Sequence, residues 1–471
     1  MLPDIDQIQG GMGVNISNPA LANAVARLGK RGTILATVSG VAVDKIMLIL
    51  LQSGDPGGDI QRALSHFPSR EVVTEILDRY YVPGGLPPGA PYKLAPMLRI
   101  DQPSPWAITL LVCANFAFVW LAKEGHSNPI SINWLEKMQR FHLYSIAGAM
   151  LAGVDVVTMG AGIPHQTPHV LDAYAHGRPA EYRVTVTDCK DRTMTMQFDP
   201  REFFGRWWPK EFNRPSFIPI VSSHVLAEKL MEVAPGGIDA VVAEGPKAGG
   251  HNAWPRGKPV FNDGGEPIYG ERDEPDFGRY RSLGVPVYLG GGYASPAGLA
   301  LARSVGARGI QTGSIWALSN SSGLYSGHRR DVIRRYHQGV LKIKQDPKAS
   351  STGYPLQVAQ LPGTLSDEAV YQARIRECRH HGLSVPRQMP DGSIVYRCSA
   401  EPVEEYRDKG GNIADVERVR CLCEGLIATA GFGKISIVTL GSDLSFLGDL
   451  TKDENDSYTL EQAMAYLRGP A

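Results

Sequence analysis

Two glycine-rich segments place bare backbone where a phosphate can be held. Leu289-Gly290-Gly291-Gly292-Tyr293-Ala294-Ser295-Pro296 follows a strand-like run at 285–289 and opens a helix-like run at 294–305. The next strand-like run, 309–312, leads into Gln311-Thr312-Gly313-Ser314. Without a Cβ, glycine lets peptide N–H groups come close to an anion, and the helix that follows turns its positive end to the same point. Two successive strand–glycine–helix units therefore predict a site for a phosphorylated cofactor such as FMN. Tight turns alone are the other reading of the same glycines.

A third segment, Ala243-Glu244-Gly245-Pro246-Lys247-Ala248-Gly249-Gly250-His251-Asn252, runs out of a strand into paired glycines and a histidine. Paired glycines let backbone lie against a flat ring. A histidine beside such a ring can take a proton near neutral pH; a hydrogen-bonded loop residue is the plain alternative. Near the N-terminus, Ile8-Gln9-Gly10-Gly11-Met12-Gly13 ends what reads as the first strand. Asn115 closes the apolar run 107–114. At a strand end its carboxamide would reach a ring edge or a phosphate; as an N-cap it would only start a helix. His165, in a segment that follows the strand-like run 154–159, makes a weaker substrate-side candidate; with His169 it has a separation used for metals on helices. Pro164 and Pro168 argue against a regular helix there.

Elements of alternating type must carry these segments. Helix-like spacing marks 18–28, 72–80, 134–151, 222–233 and 294–305, and strand-like runs mark 33–38, 107–111, 154–159, 240–244, 285–289 and 309–312. Short, continuous apolar strands alternating with helices suit a parallel sheet covered on both sides. The glycine clusters all fall just after strands, and in a closed barrel every such loop converges on one face. The expected fold is α/β, with a (β/α)8 TIM barrel over 1–363 suiting the glycine loops better than an open sheet, in which they would converge only near the switch point. Residues 177–219, polar and aromatic, read as an insertion, with Phe203, Phe204, Trp207, Trp208 and Phe212 close together. The βα rhythm is lost beyond 363, so 364–471 reads as an appended C-terminal subdomain.

Composition narrows the function classes. The 471 residues carry a formal net charge of +0, with 43% hydrophobic and 20% charged residues and 52 glycines, which is globular and gives no reason to expect nucleic acid or an anionic membrane. The start, MLPDIDQIQGGMG, has no basic segment before an apolar core, so no signal peptide is expected. The longest apolar stretch, 107–122, is short for a membrane span. Six cysteines do not make a disulfide framework, and the cytoplasm is the expected compartment. Arg329, Arg330, Arg334 and Arg335 read as a solvated helical face.

In this order, IQGGMG, Asn115, EGPKAGGH, YLGGGYAS and GARGIQTGS resemble the nitronate monooxygenase (2-nitropropane dioxygenase) family over most of residues 5–320. The cysteine-containing tail is similar to that of its longer bacterial members. The resemblance implies a TIM barrel with non-covalent FMN. It implies His251 as catalytic base, Gly249 and Gly250 beside the flavin, and Gly291, Gly292, Gln311, Thr312, Gly313 and Ser314 around the phosphate. It also implies Met12 and Asn115 as flavin contacts; Gly11 and Glu244, at the ends of their strands, join the cofactor-binding set. The implied reaction turns alkyl nitronates or nitroalkanes and O2 into carbonyl compounds and nitrite. A small-molecule substrate and O2 are the expected partners, and a homo-oligomer is compatible with the sequence. Three departures bear on the substrate. Glu244 stands where the family often has Gln, Lys247 where it often has Glu, and Gly10-Gly11 where Ala-Pro is usual.

The same resemblance extends to FMN-dependent enoyl reductases of fatty-acid or polyketide synthesis, which use NAD(P)H. In that reading the aromatic insertion, with Arg201, Arg206, Lys210 and Arg214, would cover an acyl chain or meet a carrier protein; otherwise it is a packed lid with a basic edge. No metal is assigned to the barrel. Cys378, Cys398, Cys421 and Cys423 leave open a four-thiolate site for zinc or an iron–sulfur cluster, beside the plain alternative of buried free cysteines.

Overall fold

The computed structural model describes residues 4–29 and 32–469. Eight strands are numbered here in chain order: β1 (Gln7–Gln9), β2 (Ile34–Ser39), β3 (Ile130–Leu135), β4 (Val156–Gly160), β5 (Ser216–Val221), β6 (Val241–Glu244), β7 (Val287–Gly290) and β8 (Gly309–Thr312). Each pairs in parallel with its neighbours in sequence, and β1 closes the ring on β8 through Gln7↔Ile310 and on β2 through Gln7↔Ile34. This is the expected TIM barrel. Ile5, Ile8, Leu35, Val156, Ile218, Val242 and Tyr288 fill its interior as one buried apolar cluster. The Tyr288 hydroxyl donates to Ile5 O at 3.2 Å, so the floor is plugged and chemistry is left to the mouth.

Several expectations need correction. The run 107–111 is not a strand: Pro105–Lys123 is one 19-residue helix. Its start is signalled by Ser104, whose side chain accepts from Ala107 N–H, and by Pro105 at the first helical position. Fifteen of its residues are buried, so it is apolar on every face and no helical period is visible. It is long and apolar enough to cross a membrane, but 83% of its apolar window lies inside the fold. The run 134–151 is not one helix either: β3 ends at Leu135, and the helix is His142–Leu151. The stretch 177–219 contains a β-hairpin, Ala180–Thr185 with Thr193–Phe198, but its end is the start of the barrel strand β5.

The insertion's aromatics pack on the barrel's flank. Phe204 stacks on Trp208 with ring centres 5.1 Å apart, Trp207 meets Phe67 at 5.4 Å, and Phe67 meets Phe116 of the long helix at 5.3 Å. Arg214 is bound by Asp172 at 2.5 Å and Asp239 at 3.1 Å. The side chain of Arg206 lies outside the described residues.

Parts of the stretch beyond 363, which reads as an appended subdomain, reach the mouth of the barrel. Helix Leu422–Thr429 and the stretch 438–446 stand over it, and helix Leu460–Arg468 docks against helices Pro19–Leu28 and Pro296–Ser304. A small antiparallel sheet joins Ile343–Asp346, Leu356–Ala359 and the pair Gly250–His251, with Leu356 opposite His251.

Candidate active site

The strand ends and the tail enclose a cavity of about 220 Å³ at the barrel mouth. Its first wall is backbone. Gly10, Gly11 and Met12 come from the end of β1, and Gly291 and Gly292 from the end of β7. Gln311, Thr312, Gly313 and Ser314 come from β8 and the turn after it, and Glu244, Gly249, Gly250 and His251 from β6 and its loop.

Close packing requires some of these glycines. Gly291 has φ +85°, and a Cβ there would lie 2.7 Å from Gly245 O. A Cβ on Gly11 would lie 2.4 Å from Asn133 Cβ. At Gly250, φ +84°, a Cβ would meet nothing within 4 Å, so room is left beside the backbone for a ligand. Gln9, fully buried, braces the first loop: its Nε2 donates to Ser17 Oγ at 2.9 Å and to Thr37 O at 3.1 Å, and Ser17 Oγ accepts from Met12 N–H at 3.0 Å.

His251 is half-buried on this wall. Its Nε2 is 2.7 Å from Ser350 Oγ, which is itself 2.8 Å from Thr352 Oγ1. Burial pushes its pKa down to about 4, so the imidazole is neutral at physiological pH. Glu244 sits at the end of β6, and burial pushes its carboxyl up to about 7. Near neutrality it is divided between a carboxylate and a neutral acid able to donate a hydrogen bond. Thr312 Oγ1 accepts from Trp316 Nε1 at 2.8 Å, and Ser314 Oγ accepts from Gly441 N–H at 2.8 Å, tying the tail to the loop after β8 through a residue the sequence had singled out.

Asn115 is the one predicted cofactor-binding residue that lies away from the cavity. It is fully buried inside the long helix, where its Nδ2 donates to Leu111 O at 2.9 Å and its Oδ1 accepts from Trp134 Nε1 at 3.3 Å. The asparagine that does reach the cavity is Asn133 in β3, held by Thr158 Oγ1 donating to its Oδ1 at 3.1 Å. Gly160, the last residue of β4, and Ala161 after it also line the cavity, whereas His165 is exposed and lines no part of it. The second wall is apolar and comes from the tail: Leu422, Leu426, Val438, Leu440 and Phe446. Gly441 passes so close to the histidine loop that a Cβ on it would lie 2.9 Å from Lys247 O, and Ser442 N–H donates to that oxygen at 3.1 Å.

A second, narrower cavity of about 50 Å³ opens behind His251. It shares Val41, Leu135, His251, Leu422 and Leu426 with the first and continues between Met138, Phe141 and Leu383.

No family model matches the chain, and no curated protein matches it. Among solved structures, it is similar to FabK from Thermotoga maritima, with TM-score 0.47, 16% identity, and coverage of 99% of this chain and 92% of that one. It is also similar to nitroalkane oxidase from Streptomyces ansochromogenes, with TM-score 0.46, 13% identity, and coverage of 99% and 95%. The enoyl reductase domain of MlnA from Bacillus amyloliquefaciens follows with TM-score 0.37 and 13% identity, over 78% of this chain and 65% of that one.

Proposed function

We propose that the chain is an FMN-dependent oxidoreductase acting on alkyl nitronates and nitroalkanes with O2, that is, a nitronate monooxygenase. The observation that carries this reading is a neutral, half-buried His251 in the same cavity as two glycine-lined strand ends. The residues fit the cofactor. Gly291, Gly292, Gly313 and Ser314 would hold its phosphate at the β7 and β8 ends, where TIM barrels build such sites. Gly249, Gly250 and Met12 would flank its ring, with Asn133 in the place first given to Asn115. Bound FMN would supply the redox chemistry between substrate and O2.

The chain's own groups supply position and a proton acceptor. Ser350 Oγ engages Nε2 of His251 and fixes the ring, leaving Nδ1 for the α-proton of a neutral nitroalkane. A nitronate has already lost that proton and needs only to be oriented. A partly protonated Glu244 removes the repulsion that a full carboxylate would exert on an anionic ring or substrate. The apolar tail wall excludes water.

The second cavity gives the enoyl reductase reading its specific support, because an apolar chamber beside the histidine would take an acyl group. Its size, about 50 Å³, favours a short alkyl substituent over a long acyl chain. Steady-state assays with a short nitronate, and with a short enoyl thioester plus NADPH, test the choice. Nitrite release without nicotinamide supports the monooxygenase; NADPH consumption with enoyl thioester and no nitrite overturns it.

A further inference from the structure

The tail holds a cluster that the flavin chemistry does not use. Cys378, Cys398, Cys421 and Cys423 come from three separate stretches of chain and line one small cavity with His381 and Glu401. All four are free thiols. The cavity measures about 10 Å³, the space of a single small ion or water. Cys378 Sγ lies 3.5 Å from His381 Nδ1, and a Cβ on Gly382 would lie 3.1 Å from Cys423 Sγ, so backbone closes tightly around the sulfurs.

Beside the thiols stands a buried cation without an acid. Arg140 is 4% exposed. Its guanidinium donates to Ser384 O at 3.0 Å, to Ser384 Oγ at 3.2 Å and to His381 O, and its Nε has no partner among the described residues. No carboxylate pairs with it among the described residues, since the nearby Asp44 is taken by Lys45 at 2.5 Å. A buried charge of this kind needs a counter-charge. The rings of Phe141 and Tyr396 lie 4.8 and 5.1 Å from it, and His381, whose carbonyl it meets and whose Nδ1 is 3.5 Å from Cys378 Sγ, joins it to the thiol cluster. Among the described residues no three His, Cys, Asp or Glu side chains are already grouped to hold a metal, so binding one here requires the sulfurs to turn inward.

We propose that Cys378, Cys398, Cys421 and Cys423 form a structural tetrathiolate site for one zinc ion. Four S–H bonds lose their protons to solvent and four Zn–S bonds form, with no change of oxidation state. The resulting dianionic centre supplies the counter-charge that Arg140 lacks. The site also has a mechanical consequence. Leu422, between two of the ligands, lines both the central cavity and the chamber behind His251. The ion thus pins the start of helix Leu422–Thr429 over the barrel mouth.

The test is metal analysis of the full chain, purified with its bound flavin, together with zinc-edge X-ray absorption. Expected are about one zinc per chain and sulfur-only ligation near ~2.3 Å. Cys421→Ser/Cys423→Ser should lose the zinc, while Cys189→Ser, outside the cluster, keeps it. Four titratable native thiols with no bound metal overturn the proposal. So do nitrogen- or oxygen-rich ligation, stoichiometric iron with labile sulfide, or full zinc retention in the double variant. The absorption measurement on the unaltered chain decides the matter even where the double variant does not fold.

Discussion

The two walls of the central cavity are built on different principles. The wall from β1, β6, β7 and β8 is backbone, with glycines at positions where a side chain would strike neighbouring atoms or strain the chain. The wall from the tail is side chain: Leu422, Leu426, Val438, Leu440 and Phe446 present ordinary apolar surface. The first wall can hold a flat, phosphorylated ligand and tolerates almost no change. The second shapes the remaining space and can vary without disturbing the first. His251 belongs to the backbone wall but opens onto the chamber that the tail encloses.

Substitutions on the two walls should therefore separate cofactor from substrate. The largest effect is expected for His251→Asn: turnover of a neutral nitroalkane falls by about 10²- to 10⁴-fold, while a preformed nitronate loses only a few-fold. Equal losses on both substrates would remove the base from the account. Gly291→Val forces a β-branched residue to φ +85° with its Cβ 2.7 Å from Gly245 O. Fluorescence titration should show flavin affinity reduced by about 100-fold or more, from about 1–3 kcal/mol of backbone strain plus the steric clash. Unchanged affinity would break the distinction between the walls.

Glu244 tests the electrostatics. Its carboxyl rises from about 4.5 to about 7 on folding, so the unfolded chain releases that proton first and stability falls as pH climbs from 4.5 to 7. Glu244→Gln should stabilise the flavin-free chain by about 1–3 kcal/mol at pH 8 and hardly at all near pH 4, read from melting temperatures. His251 acts in the opposite pH sense. Its depressed folded pKa favours folding above the unfolded value of 6.5, and that contribution is lost as pH falls toward 4. The smallest effect belongs to the tail wall. Leu426→Ala should change KM by roughly tenfold or less and leave flavin affinity within about twofold. A large loss of flavin in that variant would mean that the tail holds the cofactor too.

What the sequence revealed follows the same division. Glycine loops at strand ends are local, and eleven of the cofactor-binding positions it marked line the cavity along with His251. The tail wall meets those loops across 100 residues or more of chain, so no spacing rule points to it. Asn115 misled because an apolar run buried on every face looks alike as strand or helix. Asn133 escaped because β3 runs straight into a stretch with helical spacing. Strand β5 was hidden by Pro219, a residue that argues against a central strand, within a stretch that otherwise reads as an insertion.

The most direct test is the visible spectrum of the purified chain, followed by anaerobic mixing with a nitronate and, separately, with NADH and NADPH. The account predicts flavin absorption that bleaches with the nitronate and not with either nicotinamide. A colourless protein that cannot be reconstituted with FMN, or one bleached by a nicotinamide and indifferent to nitronate, would contradict it.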